Sequence, residues 1–143
     1  MSLLLKNALI VTMNDGFEVV QGDVSVREGR IAAVGVVPDA PHDRVIDAEG
    51  DYVLPGLIQT HIHLCQTLFR GYADDMPLMQ WLRTRVWPME AAHTAASLRA
   101  AARLATTELL ASGTTAVLTM ETVHETDAVF EAVAESGIRA TIG

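Results

Sequence analysis

The 143-residue chain has a single cysteine, few aromatic residues and no cluster of lysine or arginine. With Cys65 alone, no intrachain disulfide can form, which fits a reducing compartment. A net charge of −8 without a basic patch argues against nucleic acid and anionic membranes as partners, because neutralising phosphate requires a basic surface. No apolar run reaches membrane-span length, and the N-terminus turns polar too soon for a signal peptide. We therefore expect a soluble, cytoplasmic protein.

Half of the residues are hydrophobic, so the chain can bury a core, and its pattern changes near Pro55-Gly56. Before that point, alternating apolar residues and turn signals predict antiparallel β structure over residues 1–54. It consists of a first strand (3–11), a hairpin over 19–36 that turns at Glu28-Gly29, and a second hairpin over 45–54.

After that point, strands alternate with helices over residues 55–143. The predicted strands are 57–64, 115–120 and 138–142. Asp75 is a candidate cap for a helix over 77–86 that Trp87-Pro88 should end. Thr94 is the candidate cap of a helix to about Ser112, and a further helix spans 126–136. The alternation predicts parallel strands with right-handed crossovers, as in the first β/α units of a larger barrel of roughly 250 residues.

His61 and His63 stand two residues apart near the end of the first of these strands. Side chains at i and i+2 of a strand share one face, so both imidazoles would project side by side. Two pre-aimed nitrogen donors form half of a catalytic metal site, which usually has about three protein ligands and one open position. The alternative is a strand with two histidines that are satisfied by hydrogen bonds.

Several motifs resemble the amidohydrolase superfamily. Residues 53–64, VLPGLIQTHIHL, are similar to its metal-binding signature, and residues 22–35, GDVSVREGRIAAVG, to its N-terminal β segment. Residues 67–75, TLFRGYADD, together with Trp81-Leu82 and residues 87–90, WPME, are similar to one branch. That branch holds 5'-methylthioadenosine/S-adenosylhomocysteine deaminases and chlorotriazine hydrolases.

The resemblance implies an α/β fold: the N-terminal part of a metal-dependent hydrolase (β/α)8 TIM barrel with a small composite β-sandwich segment, truncated near the third barrel strand. It implies one divalent metal, zinc or alternatively iron, bound by His61 and His63. The other family ligands and the acid/base glutamate would lie beyond residue 143. The rest of the barrel, or another chain, would be needed to complete the site.

The activity implied is hydrolysis of C–N bonds other than peptide bonds, by a metal-activated water. The expected reaction is deamination of an adenosine-like or related aminated heteroaromatic compound. One alternative is a triazine-type chlorohydrolase or aminohydrolase, and another is a truncated, non-catalytic fragment. A branch of the superfamily that binds two metals through a carboxylated lysine also remains an alternative. The protein could also form a homo-oligomer. The isolated 143-residue chain should be inactive.

Two residues are candidates for contact with the substrate. The resemblance implies that Glu90 accepts hydrogen bonds from ribose hydroxyls, and a carboxylate suits a diol because it is an acceptor only. The alternative is a solvated acid near a helix N-terminus. Trp81 matches a tryptophan that lines the base-binding end of the family pocket, where an indole could stack on a purine or triazine. Ordinary helix packing explains it equally well.

The remaining polar candidates have structural interpretations. Arg70 is expected to pair with Asp74 or Asp75. His93 and His124 lack partners at metal-ligand spacing, and His42 should lie on the surface. Cys65 could be a thiolate ligand, although a small buried apolar residue is favoured.

Overall fold

We analysed a computed structural model of the chain, which describes residues 1–122 and 124–143. The chain forms two compact units, Met1–Pro55 and Gly56–Gly143. The predicted composite β-sandwich, which would need strands from elsewhere, stays a prediction. In the described residues, no helix combines the length and the apolar character needed to cross a membrane.

The first unit is a five-stranded sheet. Its strands are β1 (Ser2–Val11), β2 (Val19–Arg27), β3 (Arg30–Gly35), β4 (Arg44–Asp47) and β5 (Tyr52–Val53). The first hairpin is confirmed, since β2 and β3 are antiparallel and turn at Glu28-Gly29. Ala8, Ile10 and Val24 form the small buried core.

The second predicted hairpin is wrong. β4 and β5 both pair with β1 in parallel, along consecutive stretches of the same edge. Between them the chain makes a local turn without reversing direction. This turn is tied to β1 because Ala48 N donates to Lys6 O, Gly50 N to Asn7 O and Leu9 N to Asp51 O. The β1 backbone therefore takes the hydrogen bonds that the sequence pattern assigned to a hairpin.

The second unit contains three parallel strands, β6 (Leu57–Ile62), β7 (Thr114–Thr119) and β8 (Arg139–Ile142), in the order β6-β7-β8. The predicted strand–helix alternation is thus confirmed. Just before β6, a Cβ on Gly56 would clash with the Thr115 side chain. Only glycine allows the chain to approach β7 so closely at this point.

One helical segment departs from the prediction. A 3₁₀ helix (Leu64–Phe69) follows β6, and then α1 (Leu78–Trp81) continues through a π-helical turn (Leu82–Val86) into α2 (Trp87–Ala91). Trp87-Pro88 therefore does not end the helix. The Trp87 N–H donates to Leu82 O, five residues back, so the wider turn accommodates a proline that would disrupt regular α-helical bonding. Asp75 has a positive φ of 66° and is not the cap; that position is Pro77.

The two long helices begin and end nearly as predicted. α3 (Ala95–Ala111) starts with a capping box in which Thr94 accepts from Ser97 N, and α4 (Asp127–Ser136) ends at Gly137 with φ 76°. Their apolar faces enclose the main core together with Leu64, Cys65 and Val117. Since Leu64 and Cys65 directly follow His63, this packing fixes the chain just beyond the two histidines.

Candidate metal and substrate site

His61 and His63 project from the carboxyl end of β6. Their ring centroids lie 5.2 Å apart with the ring planes at 88°. His63 Nδ1 lies 2.7 Å from the Met120 carbonyl oxygen. A carbonyl only accepts, so Nδ1 carries the hydrogen and Nε2 is the nitrogen with a free lone pair in the neutral ring. A ligand histidine is commonly oriented in this way by a carbonyl on its other nitrogen.

The chain on either side of His63 is also held by the end of β7. Met120 N donates to Ile62 O over 3.2 Å. Leu64 N and Cys65 N each donate over 2.9 Å to a different carboxylate oxygen of Glu121. The conformation around His63 is therefore set by two residues that follow β7.

Sequence reasoning missed Glu121. It is 9% exposed, which is unusual for a carboxylate. Its position one residue after the predicted strand 115–120 could have indicated a site residue, since the carboxyl ends of neighbouring parallel strands meet at one sheet edge. Two of its partners are backbone N–H groups, which leave no pattern in the sequence.

The histidines open onto a cleft of about 420 Å³, here named the β6 cleft. Its wall includes His61, His63, Gln66, Trp81, Glu90 and Glu121. Both predicted substrate residues thus share a cleft with both predicted metal ligands. Glu90 lies in α2, and its Oε1 accepts from Gln66 Nε2 over 2.8 Å.

Trp81 is half-buried at the junction of two cavities. Besides the β6 cleft, it lines a neighbouring space of about 320 Å³ together with Tyr72 and Arg85. The Arg85 guanidinium carbon lies 5.7 Å from the Tyr72 ring centroid. The indole therefore has open space beside it, as a stacking surface would require.

Cys65 is fully buried in the main core, as favoured from the sequence. Burial raises the pKa of its thiol, and the neighbouring Glu121 and Glu90 carboxylates raise it further. Its Sγ lies 3.8 Å from Glu90 Oε1 and donates toward it. The structure supports the buried thiol and not the thiolate alternative.

Arg70 and three histidines have structural contacts. Arg70 makes a bidentate pair with Glu108 of α3, at 2.6 and 3.3 Å, so the expected pairing with Asp74 or Asp75 is wrong. The reason is that the end of the 3₁₀ helix brings Arg70 to α3.

The other three histidines contact nearby polar atoms. His93 Nδ1 lies 2.9 Å from Ser97 Oγ, and His93 Nε2 lies 2.9 Å from Cys65 O. His124 Nε2 lies 3.2 Å from His93 O, and the half-buried His42 lies 2.8 Å from Ser25 Oγ.

The donor set fits part of a metal site. Two imidazoles project from a stiff strand end, and one of them has its tautomer set by a backbone carbonyl. Within residues 1–122 and 124–143, no group of three or more His, Cys, Asp or Glu side chains could hold a metal. His61 and His63 would thus hold the ion together with further ligands that these residues do not supply.

The second unit is a parallel α/β unit with two histidines at a strand end, an arrangement typical of metal-dependent α/β enzymes. The model of the amidohydrolase family matches residues 52–143. The chain belongs to the amidohydrolase family.

Curated relatives are identical to the chain at about two fifths of the aligned positions. The chain is 41% identical over 141 residues to 5'-deoxyadenosine deaminase of Methanosarcina mazei, covering 98% of the chain and 32% of that relative. It is 42% identical over 147 residues to 5-methylthioadenosine/S-adenosylhomocysteine deaminase of Desulforudis audaxviator, covering 99% and 33%. The chain thus spans about a third of the length of these relatives.

Solved structures confirm the predicted fold class. Atrazine chlorohydrolase from Arthrobacter aurescens, complexed with zinc, matches with a TM-score of 0.85 at 26% identity, over 99% of this chain and 35% of that one. Guanine deaminase from C. acetobutylicum matches with a TM-score of 0.85 at 27% identity, over 100% and 36%. The α/β fold therefore corresponds to about a third of these longer chains.

Proposed function

We propose that this chain forms part of a metal-dependent hydrolase that deaminates adenosine-type nucleosides. The observation that carries the proposal is the shared cleft: His61 and His63, a carboxylate (Glu90) and an indole (Trp81) line one space, whose volume is typical of a small-molecule site. The names of the curated relatives support a deaminase of 5'-modified adenosines.

His61 and His63 are proposed as two ligands of one divalent ion, with zinc as the first choice and iron as the alternative. When bound, such an ion acts as a Lewis acid and makes a water nucleophile available near neutral pH. His63 contributes Nε2, since its Nδ1–H donates to Met120 O. A ring fixed in this way loses little rotational freedom when it becomes a ligand, which favours binding.

Trp81 and Glu90 are proposed to bind the substrate. Glu90 Oε1 accepts from Gln66 Nε2 and lies 3.8 Å from the Cys65 thiol, and an acceptor-only group can take further hydroxyl donors. It would accept hydrogen bonds from the ribose, while the Trp81 indole stacks against the base. Both residues belong to the helical segment 78–91, which is separate from the strand end that carries the histidines. They would therefore act on substrate recognition and not on metal binding.

The second candidate function is triazine hydrolysis, favoured by the match to atrazine chlorohydrolase. The 26% identity of that match is lower than the 41% shared with the deoxyadenosine deaminase. A carboxylate in the cleft wall also suits a ribose better than an alkylated triazine, which has no diol.

The deciding experiment is a substrate comparison with the full-length protein loaded with zinc. Release of ammonia would be measured from 5'-deoxyadenosine, methylthioadenosine, S-adenosylhomocysteine and guanine, and release of chloride from a chlorotriazine. We expect the largest kcat/KM for one of the three adenosine compounds. A larger kcat/KM for the chlorotriazine would establish the second candidate.

The 143-residue chain by itself is proposed to be inactive, because the residues that the structure describes present two metal donors and leave apolar strand residues uncovered. Leu57 and Ile58 of β6 are 60% and 70% exposed. Further barrel strands or another chain would bury them and complete the ligand set. Turnover by the monomeric 143-residue chain comparable with that of the full-length protein would contradict this proposal.

A further inference from the structure

We infer that Glu121 is a positioning residue for the metal ligand His63, acting through the backbone that follows the histidine. The inference rests on the proposed metal role of His61 and His63. It assigns to Glu121 neither a bond to the metal nor a contact with substrate.

The geometry of Glu121 is specific. Its two carboxylate oxygens accept separately from two consecutive backbone N–H groups, Leu64 and Cys65, each over 2.9 Å. These are the first two residues of the 3₁₀ helix, whose N-terminal N–H groups have no partner within the helix. His63 itself has extended backbone angles, φ −131° and ψ 102°. The carboxylate thus fixes the point where the extended strand changes into the 3₁₀ helix.

The position of Glu121 is itself determined by its neighbours. Its own N–H donates to Gly143 O over 2.9 Å. The Thr119 hydroxyl lies within hydrogen-bond reach of the Glu121 carboxylate and 3.0 Å from Ile62 O. Glu121 and Thr119 are 9% and 2% exposed, so water cannot readily replace either contact.

His63 is therefore held at two places by one segment. The Met120 carbonyl accepts from the ring, and Glu121 accepts from the two residues that follow. Outer partners of metal ligands can contribute to metal affinity by fixing ligand orientation before the ion binds. Glu121 differs from the usual carboxylate–histidine contact, because it acts on the backbone and not on the imidazole.

Glu121→Gln is the matched substitution. It keeps the length of the side chain but replaces one acceptor oxygen with an amide that donates, so Leu64 N–H or Cys65 N–H loses its partner. In the full-length protein, zinc affinity measured by competition with a chelator should fall about 10- to 100-fold. Glu108→Gln, which removes an exposed carboxylate paired with Arg70, is the control and should leave zinc affinity unchanged.

A second variant keeps the test valid if Glu121→Gln does not fold. Thr119→Val removes the hydroxyl that contacts Glu121 and Ile62 O while conserving shape. It should lower zinc affinity about five-fold, the equivalent of one hydrogen bond. Thr119→Ser keeps the hydroxyl and should restore the wild-type affinity.

The His63→Ala variant separates failure of this inference from failure of the proposed function. If His63→Ala loses zinc but Glu121→Gln keeps the wild-type zinc affinity, the inference alone is overturned. If Glu121→Gln does not fold, a wild-type zinc affinity in Thr119→Val has the same meaning. Wild-type zinc affinity in His63→Ala would overturn the metal assignment, and the inference with it. A Glu121→Gln protein that folds and loses zinc affinity while Glu108→Gln does not is the result that supports it.

Discussion

The strand end and the helical segment on the two sides of the β6 cleft are built differently. At the strand end, the His63 ring donates to the Met120 carbonyl, and the backbone N–H groups of the next two residues donate to the Glu121 carboxylate. In the helical segment 78–91, Glu90 is held by a side-chain contact with Gln66, and a π-helical turn interrupts the regular bonding. We therefore expect the proposed metal binding to depend on this fixed backbone, and substitutions at the proposed substrate residues to leave it undisturbed.

The largest effect should come from removing a histidine at the strand end. In the full-length protein, His61→Ala and His63→Ala should each abolish stoichiometric zinc binding and activity, because each removes a nitrogen donor that no neighbour replaces. Zinc content after dialysis is the measurement. His42→Ala, in the first unit, is the control and should keep its zinc. Full zinc occupancy in both variants would make these histidines structural.

A change in the helical segment that removes one charge and conserves shape should alter the substrate preference and leave the metal in place. Glu90→Gln weakens a charge-assisted hydrogen bond to ribose hydroxyls, worth about 1.5–3 kcal/mol. We expect kcat/KM for a nucleoside to fall by about 10- to 150-fold, with little change for a ribose-free substrate such as a triazine.

Zinc content and steady-state kinetics on one nucleoside and one ribose-free compound are the measurements for Glu90. Glu108→Gln, outside the cleft, serves as the control. Equal losses on both substrates would show that Glu90 supports the cleft through Gln66, and the nucleoside assignment would lose its main structural support.

Trp81 should have a smaller effect that does not depend on the ribose. Trp81→Leu keeps an apolar side chain but removes the stacking surface, worth about 0.5–1.5 kcal/mol. The KM for nucleoside and triazine alike should rise about 2- to 12-fold, and Trp81→Phe should restore part of the loss. A Trp81→Leu enzyme with unchanged KM for both substrates would assign the indole to helix packing.

The smallest effect concerns stability outside both regions. Thr94→Ala removes the capping box of α3 and should lower the free energy of unfolding by about 1 kcal/mol, with zinc affinity and KM unchanged. Thr107→Ala, in the exposed middle of the same helix, is the control and should be nearly neutral. Denaturant unfolding is the measurement. A loss in Thr94→Ala no greater than in Thr107→Ala would mean that the cap contributes nothing to stability.

The sequence predicted features that depend on local chemistry. Thr94 and Gly137 mark the helix ends because capping and left-handed backbone are local, and the spacing of His61 and His63 placed both on one strand end. It failed where distant backbone atoms decided the outcome. β5 pairs with β1 instead of turning back, and the π-helical turn carries the helix through Trp87-Pro88. Glu121 was missed for the same reason, since it accepts from two backbone N–H groups that lie 56 and 57 residues away.

The most direct test of the account is the position of the metal in crystals of the zinc-loaded, full-length protein. An anomalous difference map at the zinc edge should show one ion about 2.0–2.1 Å from a nitrogen of His61 and from Nε2 of His63. The His63 Nδ1 should still donate to the Met120 carbonyl, and Glu121 should remain on the Leu64 and Cys65 N–H groups. Zinc away from both histidines, or bound to His63 Nδ1 with the Met120 contact broken, would contradict the account.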